Sequence, residues 1–499
     1  MKIRRFCAAF MIVLTAVSVY AESPYYTDSA GLNGDVIAEM PAPVNQINIT
    51  TMNLSNSLDL SDNSDIDDSA AINEAIGKIS RGQALYLPDG TYNLSSVINL
   101  KSNKSIVGES SGNTVLKVKD GTTGAVIKGD RATDCVVENL TLTSDWTGRY
   151  PSSTTSRNPD EGQMKFGLLL YSAKRIAARN LIIEKFDTAG IAVCEGTNCR
   201  LENNTISNAT DLSGDGHGYG ILLQDRNGND AGVTKSVVEG NHLKGPYLRH
   251  GVLLQAFSNH NEIKNNQFEE IRLDSVDLHG EGEHHNEIAG NKISDGGEAG
   301  VGVGNGPIGT HGASGPYNYI HDNEIDKCVY GVTVMMGTQN TIISENIFSS
   351  SVKTGVRMRY SDSTVIYGNT FYDMPSAVLF QRESDDMSSS IHTTFENNNM
   401  QSVKTACIIE KNAAENEMFS VISGNSGAED EFISVTPSDD SYLTIAAGYY
   451  DSGLAEIGIE IGKNAVLPYS DYSKISYFQW EPQTLDPMCD SIVLYDVTK

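Results

Sequence analysis

An asparagine followed two residues later by an apolar residue recurs along the middle of the chain. The repeats are Asn180-Ile182, Asn204-Ile206, Asn241-Leu243, Asn266-Phe268, Asn291-Ile293, Asn323-Ile325, Asn346-Phe348, Asn369-Phe371 and Asn398-Met400. Successive asparagines are 24, 37, 25, 25, 32, 23, 23 and 29 residues apart, so most steps share one length and a few carry insertions. A period of this size is typical of a protein built from stacked, similar units.

A second repeat, a short strand in which apolar residues alternate with others, lies between the asparagines. Its nine copies are Gly167–Tyr171, Gly190–Cys194, Gly220–Gln224, Gly251–Gln255, Ser275–His279, Gly300–Gly304, Gly331–Met335, Gly355–Arg359 and Ala377–Gln381. Alternation over five residues predicts a strand with one face buried. One such coil cannot bury its apolar face alone, so neighbouring coils must stack. The sequence therefore predicts an all-β fold, a right-handed parallel β-helix over residues 95–430, with the asparagines forming a hydrogen-bonded ladder from coil to coil. Leucine does not recur at the spacing of a leucine-rich repeat.

The segments at either end of the repeats complete this prediction. Asp67-Asp68-Ser69 precedes apolar residues at 71, 72, 75 and 76, which indicates a one-faced helix that caps the first coil within an N-terminal segment of residues 22–94. The segment Leu87-Pro-Asp-Gly-Thr-Tyr92 follows. With these features the chain resembles the pectate-lyase-like β-helix superfamily over roughly residues 60–430. Residues 431–499 are expected to form a C-terminal β cap or small β appendage.

The first 21 residues have the pattern of a secretory signal peptide. Lys2, Arg4 and Arg5 precede an apolar run from residue 6 to 19, and Val19-Tyr20-Ala21 forms a cleavage site of small residues. We therefore expect a secreted or periplasmic protein, and no membrane contact after cleavage, because no second apolar stretch of about 18 residues follows. Removing this segment would take three positive charges from a chain of net charge −28, leaving −31. Such acidity argues against a nucleic-acid partner.

Seven cysteines are present, and Cys7 would leave with the signal peptide. Cys194 and Cys199 are close enough in sequence to close a small disulfide loop. The chain contains no Cys-x-x-Cys pair, so no structural zinc site is predicted.

The strand register predicts which side chains share the outer face of the stack. Since apolar positions point inward, the two intervening positions of each strand are expected to face solvent. The first outward row is Leu169, Ala192, Leu222, Leu253, Asp277, Gly302, Thr333, Arg357 and Leu379. The second outward row is Tyr171, Cys194, Gln224, Gln255, His279, Gly304, Met335, Arg359 and Gln381. Polar and ionisable residues are concentrated in the middle coils of both rows, which predicts a functional groove there.

Three reactions on a polysaccharide suit such a groove. Glycoside hydrolysis needs two carboxylic groups, for which Asp277 with Glu281, Glu283 or Asp225 are the candidates. β-Elimination on a uronic acid needs a base, positive charge to stabilise the enolate, and an acid for the leaving oxygen. C5-epimerisation shares the first half of that reaction. Two outward arginines, Arg357 and Arg359, favour an anionic ligand, because guanidinium groups bind carboxylates in a bidentate geometry.

The segments at residues 245–255, 276–283 and 298–305 together resemble the central coils of secreted bacterial β-helix alginate lyases. Those enzymes use a basic residue and a tyrosine for elimination on uronate chains, so the resemblance implies a lyase acting on an acidic polysaccharide such as alginate. The predicted catalytic residues are Tyr219, Lys244, Arg249, His250, Asp277 and His279. The predicted substrate-binding residues are His217, Gln224, Tyr247, Gln255, Glu281, Asn305, Arg357 and Arg359.

The roles that we assign to these residues leave alternatives open. Arg249, with Arg357 or Arg359, would hold the carboxylate, and Lys244 or His250 would take the proton. Tyr219 would protonate the departing oxygen, while Asp277 would orient a histidine. No firm cofactor and no metal ligands are predicted, although a Ca²⁺ ion held by Asp277, Glu281 or Glu283 is an alternative. A hydrolase, a uronan C5-epimerase and a non-catalytic carbohydrate-binding β-helix remain rival functions. The protein is expected to be a monomer.

Overall fold

The computed structural model describes residues 45–435, except 64, 123, 226–227, 229–230, 306–310, 383–387, 411–412 and 414–417, and four later strands. Those later strands are Tyr442–Tyr449, Ala455–Ile459, Ile475–Gln483 and Ile492–Leu494. The predicted signal peptide and Cys489 lie outside the described residues. Within the described part, no helix is long and apolar enough to cross a membrane.

Parallel strands stack into three long sheets that run side by side, which confirms the predicted β-helix. The first sheet contains Asn45–Asn48, Gln83–Leu87, Lys104–Gly108, Thr133–Glu138, Lys174–Arg179, Arg200–Glu202, Val237–Glu239, Glu262–Lys264, Glu287–Ala289, Tyr319–His321, Ile342–Ser344, Val365–Tyr367, Thr393–Glu396 and Phe419–Ser423. The second sheet contains Ile98–Asn99, Gly124–Asp130, Met164–Tyr171, Ala189–Cys194, Tyr219–Gln224, His250–Leu254, Val276–Leu278, Ala299–Val303, Tyr330–Gln339 and Thr354–Asp362. The third contains Gly90–Leu94, Thr114–Val118, Thr141–Ser144, Ile182–Ile183, Thr205–Ser207, His242–Lys244, Gln267–Glu269, Lys292–Ser294, Glu324–Asp326 and Ile347–Ser349.

The second and third sheets merge towards the C-terminus. The long strands Thr370–Phe380 and Asn399–Ile409 pair along both sheets, and Ser426–Val435 adds a further parallel strand. Ile492–Leu494 pairs with that strand in the antiparallel direction. The other three late strands form an antiparallel sheet of their own.

All nine predicted strands lie at the expected places, and the pairing of the first outward row is as predicted. Leu222 pairs with Leu253, which pairs with Asp277, and the register continues to Arg357 and Leu379. The inward apolar positions of these strands form one continuous core along the helix axis. A close approach explains the glycine at the start of so many strands: a Cβ at Gly251 would lie 2.4 Å from the carbonyl oxygen of Ser275 and 2.6 Å from the Phe268 ring.

The predicted solvent exposure of the first outward row is wrong, because all its members are buried, including Asp277 and Thr333 at 1% exposure each. Leu222 and Leu253 are 2% and 0% exposed. They belong to a second apolar cluster outside the main core, which also includes Leu169, Ala192 and Tyr219. Equivalent positions of successive coils lie one strand spacing apart, so apolar side chains in this row pack on each other along the axis.

The asparagine ladder is present from Asn204 onward. Each side-chain amide donates to the carbonyl oxygen of the next asparagine at 2.9–3.1 Å, through 241, 266, 291, 323, 346, 369 and 398 to 425. The prediction for Asn180 is wrong: its neighbour Leu181 occupies the ladder position, donating its backbone N–H to Asn204, while the Asn180 amide donates to Asn139. A second, shorter ladder joins residues 261, 286 and 318, which the sequence analysis missed.

The predicted N-terminal helix spans Ser69–Lys78, with Ile72, Ala75 and Ile76 buried in the main core. Asp68 precedes it but does not cap it through its side chain. Its buried carboxylate instead accepts the backbone N–H groups of Asp59 and Asn93, which ties the preceding segment to the first coils.

No disulfide joins Cys194 to Cys199, so the small loop considered from the sequence is not closed by a covalent bond.

Candidate active site

A cleft of about 530 Å³ lies over the second sheet, at the coils that the sequence analysis singled out. Its lining residues are Thr188, Gly214, Gly216, Tyr219, Leu222, Gln224, Arg249, Gln255, His279, Asn305 and His311. Six of the predicted site residues therefore meet here, at 219, 224, 249, 255, 279 and 305. None of these lining residues is acidic, whereas an arginine and two histidines are among them. Each histidine is paired with a carboxylate outside the lining, His279 with Asp277 and His311 with Glu281, so Arg249 is the cation of the lining without such a pair among the described residues.

Tyr219 and Arg249 form one side of the cleft. The Arg249 Nη1 atom lies 3.4 Å from the Tyr219 hydroxyl and 3.5 Å from the carbonyl oxygen of Ser213. The Nε atom of the same guanidinium is buried and has no hydrogen-bond partner among the described residues. Burial raises the pKa of Tyr219, and the charge of Arg249 opposes that rise only in part. The phenol is thus a protonated group beside a fixed positive charge.

His279 is a second ionisable part of the lining, and the buried Asp277 lies behind it. The His279 Nδ1 atom lies 2.7 Å from Asp277 Oδ2, and the Asn305 side-chain amide lies 2.9 Å from the same nitrogen. Burial lowers the pKa of His279, but the charge and hydrogen bond of Asp277, with the charges of Glu281 and Glu283, outweigh it and raise the pKa above its usual range. The hydrogen bond to Asp277 fixes the imidazole ring, so Nε2, which lies 3.2 Å from the Asn305 amide nitrogen, is the ring atom left to exchange a proton with a ligand.

His250 lies behind these residues rather than in the cleft lining. It is 3% exposed, and neither ring nitrogen has a hydrogen-bond partner in the described part of the chain. Its Nδ1 atom is 3.5 Å from Asp277 Oδ2. Burial lowers the pKa of His250 to about 3, with further contributions from Arg249 and His279, so the ring is neutral. Its position gives it no direct access to the cleft.

Asp274, which the sequence analysis missed, lies beside Asp277. Ligand atoms of Asp274, Asp277 and His250 all fall within 4.8 Å of one another. Burial and the neighbouring charges of Asp277 and Glu298 raise the pKa of Asp274, whereas His279, His250 and Arg249 together outweigh burial and hold the pKa of Asp277 below its usual value. The two carboxyl groups are therefore driven towards different protonation states. The Asp-x-x-Asp spacing of these two residues at the start of one strand was the sequence signal that could have revealed the pair.

A second histidine–carboxylate pair lies next to the cleft. The His217 Nδ1 atom is 2.8 Å from Asp187 Oδ1 and 3.9 Å from Asp211 Oδ2. The hydrogen bond to Asp187 is the largest cause of a raised pKa of His217. Asp211 also accepts the backbone N–H groups of Asn158 and Ser213, so it organises the loop. Neither aspartate was predicted, because both lie in loops outside the strand repeat.

Lys244 and Tyr247 are two of the predicted residues that lie outside the cleft lining. Lys244 ends a strand of the third sheet, where its side chain is exposed and its Nζ atom is 4.0 Å from Glu269. Tyr247 stacks on the ring of Tyr150 at 4.5 Å between ring centroids, and Tyr150 in turn meets Trp146 edge-on at 5.0 Å. These contacts give Tyr247 a packing role in the loops beside the second sheet.

The acidic residues considered for calcium do not converge. Glu281 accepts the backbone N–H of Ala256 and lies 3.1 Å from His311. Glu283 is buried, accepts the N–H of Gly280, and has its pKa raised by burial to about 7. Among the described residues, the groups whose ligand atoms all lie within 4.8 Å are Asp187, Asp211 and His217, and His250, Asp274 and Asp277. Neither group contains Glu281 or Glu283.

Arg357 and Arg359 lie on the same outer face, three coils beyond Asp277. Arg357 is 9% exposed, and its guanidinium lies 4.3 Å from the centre of the Tyr330 ring. Burial, followed by the charge of Arg357, lowers the pKa of Arg359 to about 10. This arginine pair is outside the described lining of the 530 Å³ cleft.

Comparison with known proteins agrees with this architecture. The family described as rhamnogalacturonase A/epimerase, pectate lyase-like, matches residues 56–268, and the family of right-handed β-helix regions matches residues 250–418. Residues 56–268 are thus similar to the pectate-lyase-like family, and the two matches together, over residues 56–418, support a right-handed parallel β-helix of that superfamily. A search of curated proteins by sequence found no match.

Solved structures with the same fold share little sequence with the chain. The catalytic unit of a thermostable GH87 α-1,3-glucanase from Streptomyces thermodiastaticus strain HF3-3 is 14% identical, with a TM-score of 0.60 over 79% of this chain and 71% of that one. The A-module of the mannuronan C-5 epimerase AlgE6 from Azotobacter vinelandii is 16% identical, with a TM-score of 0.53 over 77% and 100%. The Dettilon tailspike protein is 15% identical, with a TM-score of 0.53 over 82% and 74%. At this level of identity the likeness establishes the fold alone.

Proposed function

We propose that the protein is a secreted, carbohydrate-active enzyme that cleaves an acidic, uronate-containing polysaccharide such as alginate by β-elimination. The observation that carries the proposal is the cleft itself: Arg249, Tyr219 and His279 meet there, and no acidic side chain is among its lining residues. A polysaccharide with a carboxylate on each sugar could form an ion pair with Arg249 in this cleft, whereas a neutral glucan has no charge to pair with it.

The geometry suits the three parts of an elimination. Arg249 binds the carboxylate of the reacting sugar and stabilises the enolate that forms when the neighbouring C–H bond breaks. His279, held at Nδ1 by Asp277, takes that proton at Nε2. Tyr219 donates its hydroxyl proton to the glycosidic oxygen as the C4–O bond breaks, and the electron pair of the broken C–H bond becomes the C4–C5 double bond. His279 replaces Lys244 and His250 as the proposed base, because Lys244 lies on the third sheet and His250 is buried.

The comparisons support a sugar polymer as the ligand. The matching family is described by rhamnogalacturonase and epimerase activities, and one structural relative acts on mannuronan. The net charge of −28 opposes the approach of a polyanion. Screening limits that repulsion to about 8 Å at physiological salt, so the local cations can prevail in the cleft.

Tyr219→Phe tests the proposal. It removes only the hydroxyl, and we expect the elimination rate on the best substrate to fall by about 10²- to 10⁴-fold. The rate is followed by the absorbance of the unsaturated uronate at about 232 nm. Tyr247→Phe is the matched control, since that ring stacks outside the cleft lining, and it should retain wild-type activity. Equal rates for both variants would refute the role of Tyr219.

The carboxyl pair at Asp274 and Asp277 favours a second candidate, glycoside hydrolysis. A protonated acid close to an ionised carboxylate is the requirement of that reaction, and a separation near 5 Å is typical of retaining enzymes. Gly302 leaves the space above the pair without a side chain, since a Cβ there would lie 3.0 Å from Asp274 Oδ2. A hydrolase would yield new reducing ends without unsaturated product, and Asp274→Asn would abolish them.

A further inference from the structure

The arginine pair on the strand Thr354–Asp362 lies outside the lining of the cleft. Around the ring of Tyr330 lie three positive charges. The Arg357 guanidinium is 4.3 Å and the Lys353 ammonium 5.3 Å from the ring centre. Arg359 is close enough for the charge of Arg357 to lower its pKa. The Lys353 ammonium also donates to the Tyr330 hydroxyl at 3.1 Å.

The charge of Arg357 is held in place but not neutralised at contact distance. Within the described part of the chain its one hydrogen bond runs from Nε to Gln381 Oε1 at 2.7 Å, and Gln381 donates to Glu410 at 2.6 Å. No described carboxylate lies within 4.0 Å of the Arg357 guanidinium. Neither Nη nitrogen has a hydrogen-bond acceptor among the described residues, although the side chain is only 9% exposed. A largely buried guanidinium needs an anion, and two parallel N–H groups match a carboxylate.

The register gives the distance of this site from the reaction centre. Asp277 pairs with Gly302, Gly302 with Thr333, and Thr333 with Arg357. Three coil steps correspond to about 14 Å along the axis. This span exceeds a single sugar ring, so the two sites would contact different residues of one polymer.

We propose that Arg357, with Arg359 and Lys353 beside it, forms a distal subsite for the carboxylate of a second uronic acid, so that an anionic polysaccharide lies along the helix axis from the 530 Å³ cleft to this cluster. The inference rests on the proposed function and extends it: the substrate must be longer than the unit that is cleaved, and it must carry charge at two places.

Binding is measured by affinity electrophoresis in gels that contain alginate, pectate or hyaluronan, with neutral dextran as the comparison polymer. Arg357→Gln should weaken binding to the preferred polyanion by about ten- to a hundredfold, the loss expected for a charge-assisted contact. Arg357→Lys keeps the charge but not the bidentate geometry and should fall between. Lys292→Gln is the matched control: it removes one exposed positive charge from the third sheet, where Lys292 pairs with Glu324, and should bind as the wild type does. Melting curves establish that each variant is folded.

The subsite is refuted if Arg357→Gln binds the polyanion as tightly as Lys292→Gln, or if the wild-type protein binds dextran as well as any polyanion. Failure of the proposed function gives a different result. A wild-type protein that binds a polyanion through Arg357 but forms no unsaturated product would retain the subsite and lose the lyase assignment. Arg357→Gln could also lower the elimination rate by the same factor on the shortest cleavable oligomer and on the polymer. That result would place Arg357 in the reaction centre and contradict a distal role.

Discussion

Replacing Asn291 with alanine should destabilise the β-helix far more than the loss of one surface hydrogen bond. The Asn291 side chain is fully buried and makes four hydrogen bonds. Its amide donates to the carbonyl oxygen of Ile263 and to Asn323, and its carbonyl oxygen accepts the backbone N–H and the side-chain amide of Asn266. Alanine leaves the Ile263 carbonyl without the asparagine donor and the Asn266 N–H without an acceptor, both in the interior.

Each buried polar group left unpaired costs about 1–3 kcal/mol, so two such groups should lower the free energy of unfolding by about 2–6 kcal/mol. Asn399→Ala is the matched control. Asn399 begins a strand and its side chain is exposed, so its loss should change stability by less than about 0.5 kcal/mol. Urea unfolding of both variants, followed by circular dichroism, measures the difference. Similar unfolding curves for the two variants would show that the ladder is not a main source of stability.

Two further predictions concern the site and the strand repeat. Asp277 raises the pKa of His279, and the proposed base acts in its neutral form, so the elimination rate should rise with pH as His279 loses its proton. Asp277→Asn should shift that rise to lower pH. A pH profile that this substitution leaves unchanged would show that the His279–Asp277 pair has no part in the reaction. Gly251→Ala should destabilise the protein by about 1–3 kcal/mol or prevent folding, because the new Cβ would lie 2.4 Å from the carbonyl oxygen of Ser275. Gly112→Ala is the control: its Cβ would meet no atom within 4 Å, so this variant should melt as the wild type does.

The strand register was predictable from sequence because it is set by local alternation. Once the apolar positions of each strand point inward, Leu253, Asp277 and Arg357 must fall in one outer row, and they do. The same reasoning failed at Asn180. An Asn-x-apolar pattern fits two neighbouring registers there, and the structure places Leu181 rather than Asn180 opposite Asn204.

The surroundings of that row were less predictable. Burial of Leu222 depends on apolar packing across coils outside the main core, which alternation within one strand does not describe. The pairs His217–Asp187 and Asp274–Asp277 depend on loops and strand starts that carry no repeat. Lys244 was assigned to the groove by its place in the sequence near Arg249, but a turn between the third and second sheets separates them.

The central claim is that the cleft around Tyr219, Arg249 and His279 eliminates across a uronate linkage. The most direct measurement is the absorbance at about 232 nm when the purified wild-type protein is incubated with alginate, pectate, glycosaminoglycans or gellan, with and without a chelator. The account predicts a steady rise on one of these polymers and its loss in Tyr219→Phe. New reducing ends with no rise in absorbance on any of them would contradict it and would favour hydrolysis at Asp274 and Asp277.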